Sequence, residues 1–165
     1  MPHVPFESLP DDARVWVFGA DRTIADSEPL LTAVDQFIAR WAAHGTPLHA
    51  SRDWREGRFL TIAVDQRQAG ASGCSIDGLF RTLQGLEGTL GASLLGGGRI
   101  YYRASDGSVA SVARDEVEAL GEQGTIGRDT TVFDPTVTTL GDWRKRFETT
   151  AGASWHAQLL PEGVK

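Results

Sequence analysis

The 165-residue chain has the length of one domain, and its 41% hydrophobic and 23% charged residues are those of an ordinary globular protein. A formal charge of −6 argues against broad binding to nucleic acid, which needs clustered Lys and Arg. The single cysteine excludes an internal disulfide, no apolar run approaches the ~20 residues of a bilayer span, and Met1-Pro2-His3-Val4-Pro5-Phe6-Glu7 lacks the basic and apolar parts of a signal peptide. A cytoplasmic protein with no membrane partner is expected.

Pro2, Pro5 and Pro10 predict an extended leader over 1–13, pinned by Phe6. Arg14-Val15-Trp16-Val17-Phe18 is β-branched and aromatic, which predicts a strand covered on both faces. After the turn Asp21-Arg22-Thr23, Asp26 or Ser27 can cap a helix with Pro29 in its first turn, and Leu30, Val34, Phe37, Ile38 and Trp41 form one apolar stripe. His44 and Gly45 close that helix. Leu48 to Trp54 alternates as a half-buried strand does, Glu56-Gly57 signals a turn, and Phe59–Val64 is the most continuous apolar strand of the chain.

The loop Gln66–Gly73 leads to Cys74, after which Ile76, Leu79, Phe80, Leu83 and Leu86 repeat at helical spacing. Gly78 and Gly85 each weaken that helix by about 1 kcal/mol relative to Ala, so packing must hold it. Arg99–Arg103 and Ser108–Val112 flank Asp106-Gly107, a two-residue hairpin turn. A short helix over Ala113–Leu120, a short strand over Thr130–Phe133 and a last helix marked by Leu140, Trp143 and Phe147 complete the reading.

The order β-α-β-β-α-β predicts an α+β fold with a ferredoxin-like split β-α-β core, an antiparallel sheet with helices on one face. Arg14–Phe18 and Phe59–Val64 are expected at central positions of that sheet. The whole chain, 1–165, reads as a single domain: the leader 1–13, the core 14–104, and a C-terminal extension over 105–165 that supplies a hairpin strand and helices.

Ala71-Ser72-Gly73-Cys74-Ser75-Ile76-Asp77 is the clearest candidate for chemistry, because it places the only cysteine where a loop meets a helix. Free N–H groups and the partial positive charge of a first helical turn favour a thiolate, and an imidazole from His44 or His156 would activate it further. Cys74, His44 and His156 are therefore the candidate catalytic residues. Ser72, Ser75, Asp77, Asp65, His49 and Arg14 are candidates for binding around them. Two readings compete at Cys74: a reactive thiol, or a small residue filling a tight helix start. A zinc set of Cys74, His44, His49 and Asp65 matches no short ligand motif, so no metal is expected.

Gly91-Ala92-Ser93-Leu94-Leu95-Gly96-Gly97-Gly98 matches only the outer glycines of G-x-x-x-x-G-K-[ST], lacks the Lys and hydroxyl, and lies between a helix and a strand in the wrong order. It is a loop, so no ATP and no cofactor are expected. Arg14, Arg22, Arg52, Arg55 and Arg58 interleave with Trp16, Trp54 and Phe59, a pattern that can stack bases but that solvated packing partners explain as well.

Taken together, Arg14-Val15-Trp16-Val17, Ala20-Asp21-Arg22, Trp41-Ala42-Ala43-His44-Gly45, Arg58-Phe59-Leu60 with Ala63-Val64-Asp65, Gly73-Cys74-Ser75-Ile76-Asp77 and Ser154-Trp155-His156 resemble a family of small bacterial proteins that usually carry the name "ABC transporter ATPase". The resemblance runs from about Phe6 to His156 and implies a bacterial protein, but it transfers no functional residues. Neither a Walker A motif nor a Leu-Ser-Gly-Gly-Gln signature is present to match the family's name. The functional expectation is a binding or regulatory module with a pocket near Cys74 and His44, partnered by a small molecule or a protein. The alternative is a thiol-dependent enzyme using Cys74 with His44 or His156.

Overall fold

The computed structural model describes residues 5–43, 46–47, 49–66 and 73–163, with the backbone alone at 42, 43, 46, 47 and 73–75. β1 (Arg14–Gly19) is followed by α1 (Glu28–Arg40), the short pair β2 (Ala42–Ala43) and β3 (Thr46–Pro47), and then β4 (His49–Arg55) and β5 (Phe59–Asp65). α2 (Gly73–Leu90), β6 (Arg99–Arg103), β7 (Val109–Ala113) and α3 (Val117–Glu122) come next, and β8 (Thr131–Phe133), α4 (Leu140–Arg146) and β9 (Glu148–Thr150) close the order. The fold is mixed helix and strand with antiparallel sheets, as the sequence predicts.

β5 is buried along its whole length because both of its faces are covered. Leu60, Ile62 and Val64 point to one side, where they pack with Leu30, Val34 and Ile38 of α1 and Leu79 and Leu83 of α2. Phe59 and Ala63 point to the other, into a second cluster with Tyr101, Phe133, Leu140, Trp143 and Phe147. The side-chain period of a strand thus assigns alternate residues of one segment to two different cores.

Two departures from the sequence expectation follow. The first sheet has three strands in the order β1-β5-β4. β6, which would be the fourth strand of a ferredoxin-like sheet, pairs instead with β7 and β8 in a four-stranded sheet ordered β7-β6-β8-β9. Nor is β1 central. It is apolar on both faces because helices cover one and the second sheet covers the other, while its outer edge has no strand neighbour. Behind the second sheet, Ile100, Tyr102 and Val132 pack with Val117, Ile126 and Ala151 in a third cluster that Trp155 and Leu159 also join.

Side-chain bonds tie β5 and the β4–β5 turn to the elements packed against them. Trp143 donates its indole N–H to Thr61 Oγ1 at 3.0 Å. Arg103 of β6 donates to both carboxylate oxygens of Glu56, at 3.1 and 2.9 Å, at the tip of the β4–β5 turn. Glu56 carries a positive φ of 60°, and beside Arg103 its carboxyl is held below the usual range, chiefly through that hydrogen bond.

Candidate functional site

A mainly apolar cleft lies where the outer edge of β1 meets the segment leading into β6. Val17, Phe18, Gly19, Phe80, Leu94, Leu95, Gly97, Gly98, Arg99, Tyr101 and Pro135 line it, and its volume is about 320 Å³. Its walls come from four stretches of chain that only the tertiary fold brings together. Phe18 meets Phe80 edge to face at 5.7 Å, which fixes the α2 wall. Tyr101 crosses from the second sheet and donates its hydroxyl to the Gly19 carbonyl at 2.9 Å. That close crossing requires glycine, because a Cβ at Gly19 would stand 2.5 Å from the Tyr101 Cζ and hydroxyl oxygen.

Hydrogen bonding along β1 shows what its open edge presents. Val15 N–H bonds to the Thr138 carbonyl and Asp21 N–H to the Ser93 carbonyl, while Ala20 N–H turns inward to the Arg58 carbonyl. The alternation of an antiparallel ladder therefore directs Val17 N–H, Val17 C=O and Gly19 N–H away from β5. No bond from the described residues reaches these three groups. The edge is closed at both ends by the chain itself and open between them, where Val17 and Gly19 line the cleft.

Two arginines, Arg58 and Arg99, and the Asp21 carboxylate meet at this corner. Arg99 bonds to Ser111 through Nε and Nη2, both at 3.1 Å, which leaves Nη1 without a hydrogen bond among the described residues. Arg58 is only 7% exposed; its Nη1 reaches the Ala20 carbonyl at 3.2 Å and its Nε is buried with no partner. Neither guanidinium forms an ion pair among the described residues. Burial holds Arg58 below the usual arginine range, with neighbouring Arg99 acting in the same direction. Burial likewise raises the Tyr101 phenol. The solvated-arginine expectation therefore fails at Arg58, which is walled in beside Ala20. It holds better for Arg14, exposed over the Trp16 ring at 4.9 Å, and for Arg52, which makes a two-point ion pair with Asp35.

Of the residues singled out in the sequence, none whose side chain is described lines the cleft. His44 and Ser72 fall outside the described residues, as do the side chains of Cys74 and Ser75. Asp77 is exposed on α2. Strand register sets Asp65 opposite His49 and Arg14 opposite Val64, so these three share the end of the first sheet remote from Gly19. Asp65 is buried there, and His49 is half-buried. His156 occupies a different layer. It lies in the 3-10 turn Trp155–Leu159 behind the second sheet, stacked on Trp155 at 4.0 Å, and its Nδ1 stands 2.7 Å from Ser154 Oγ. Trp155 and Leu159 of that turn pack in the third cluster, whereas the described part of α2 packs in the first.

Sequence reasoning missed the cleft because no single stretch carries it. Its one local signal is Leu94-Leu95 before three glycines, an apolar pair held on a bend at a strand entrance. Among the described residues no group of three or more His, Cys, Asp or Glu is placed to hold a metal ion, and no helix is long and apolar enough to cross a membrane. No family model, curated protein or solved structure matches the chain.

Proposed function

We propose that the protein is a binding module whose working surface is the cleft between the open edge of β1 and the Leu94–Gly98 segment. The observation that carries this reading is the composition of the walls. Apolar groups from Val17, Phe18, Phe80, Leu94, Leu95 and Pro135 surround a space of about 320 Å³, with Arg99 and Tyr101 as the polar points. That is the usual form of a ligand site, mostly apolar with a few directing groups. Among the described residues no Cys, His, Ser, Asp or Glu lines the cleft, so they supply no nucleophile with a base there. The reading also departs from ATP hydrolysis, since no lysine follows the glycines that border the cleft.

A neutral fluorescent probe tests it. N-phenyl-1-naphthylamine should bind saturably, with an emission rise, and Leu95→Trp, which fills the half-buried wall, should weaken binding by at least about tenfold. Absence of saturable binding, or binding indifferent to Leu95→Trp, would overturn the proposal.

A further inference from the structure

The binding reading leaves open what kind of molecule the cleft takes, and the backbone lining its floor narrows the answer. Building on that reading, we propose that the occupant is the C-terminal end of an extended peptide, which pairs with β1, places an apolar side chain in the cleft and sets its carboxylate against Arg99.

Three observations converge on this class. The first is the row Val17 N–H, Val17 C=O and Gly19 N–H, a donor, an acceptor and a donor on one edge of a strand with no partner among the described residues. Another extended backbone presents the complementary groups at the same pitch, and adding a strand to a free edge is a general mode of peptide capture. A rigid small molecule matches three backbone groups at strand spacing far less readily.

The second is the length of the opening. Val15 is bonded to Thr138 and Asp21 to Ser93, six positions apart, or about 20 Å of strand at 3.3 Å per residue. A through-running strand would meet the chain at both closures, whereas a peptide end needs only the interval between them. The third is charge. Arg99 lines the cleft, and its Nη1 has no hydrogen bond and its guanidinium no ion pair among the described residues. A terminal carboxylate supplies the missing negative charge, and an arginine fork is the side chain suited to it. Phe80, Leu94 and Leu95 offer the last side chain of the peptide an apolar wall.

Pools of fluorescein-labelled pentapeptides, randomised at the first four positions and ending in Leu, Val, Ile or Phe, provide the test. One pool carries the free carboxylate and its twin the amide. The free acid should bind about tenfold more tightly than the amide, and Arg99→Gln should erase that difference. On the unmodified protein, the amide protons of Val17 and Gly19 should exchange more slowly when the free-acid pool is added, a readout that does not depend on any variant folding. Equal binding of acid and amide, or acid preference without slower exchange at Val17 and Gly19, would overturn the inference. If the neutral naphthylamine probe binds and is lost in Leu95→Trp while neither pool displaces it, the cleft is a ligand site but not for peptide ends. If neither probe nor pools bind, both proposals fall.

Discussion

His156 shows how a single side chain turns burial into pH dependence. It is 3% exposed, and its ring nitrogen meets the Ser154 hydroxyl, which already accepts the His156 backbone N–H at 3.1 Å. Burial holds the imidazole below its usual range, nearby Arg114 pushes the same way, and Asp134 opposes them. The unfolded chain therefore binds this proton first, near the ordinary histidine value of about 6.5. The stability tied to a neutral His156 is complete above that value and is lost as pH falls below it. Urea midpoints at high and low pH should show the advantage of the native protein over His156→Gln shrinking on acidification; an advantage that is constant or grows would contradict this account. Glycines give a second contrast at this scale. Gly19→Ala must displace Tyr101 and should cost about 1–3 kcal/mol through overpacking. Gly85→Ala, on an exposed turn of α2 with nothing within 4 Å of the new methyl, should instead stabilise by about 0.5–1 kcal/mol. Opposite signs in thermal or urea denaturation are the expected result.

Among the elements, β5 carries the most, because its two faces belong to two cores. Thr61, in its middle, is polar and fully buried, and it accepts the Trp143 indole N–H. Thr61→Val keeps the shape and removes the acceptor, leaving a buried donor unpaired at a cost of about 1–3 kcal/mol. Thr61→Ser should retain most of the stability, and equal losses for the two variants in urea titrations would refute the role assigned to this bond. The strand itself was legible in the sequence, since Phe59–Val64 is apolar at every position but one. So was the β6–β7 hairpin, where Gly107 adopts the positive φ of 89° that Asp106-Gly107 suggests. The helical stripe of α1 was equally clear, with Leu30, Val34 and Ile38 buried. The partner of β6 was not legible. Arg99–Arg103 reads as a strand wherever it pairs, and its second neighbour comes from Tyr101 opposite Phe133, a pairing that local pattern does not encode. β9 was missed because Glu148-Thr149-Thr150 has no apolar alternation, only a place at the sheet edge. The cleft inherits both difficulties. It exists only once β6 leaves the first sheet and passes Tyr101 across Gly19.

For the whole molecule, the two sheets share one aromatic centre. Phe59 stacks on Phe133 at 5.0 Å and meets Tyr101 and Phe147 edge to face at 5.0 and 5.2 Å. Residues from both sheets and from the chain following α4 thus touch a single ring of β5. Phe59→Ala should cost about 3–5 kcal/mol, and both sheets should bear the loss together. Transitions followed by far-UV circular dichroism and by tryptophan fluorescence should coincide in the native protein and shift in parallel in the variant. Separate midpoints would show that the sheets melt independently.

The closures at Thr138 and Ser93 have a further effect, on the behaviour of many copies rather than one. A long bare strand margin invites other molecules to stack along it, and this is how ordered aggregates begin. Here the bare part of β1 is limited to the interval between Val15 and Asp21, and the Tyr101 hydroxyl already occupies one of its carbonyls. The two closures confine any strand added at this edge to the interval between them.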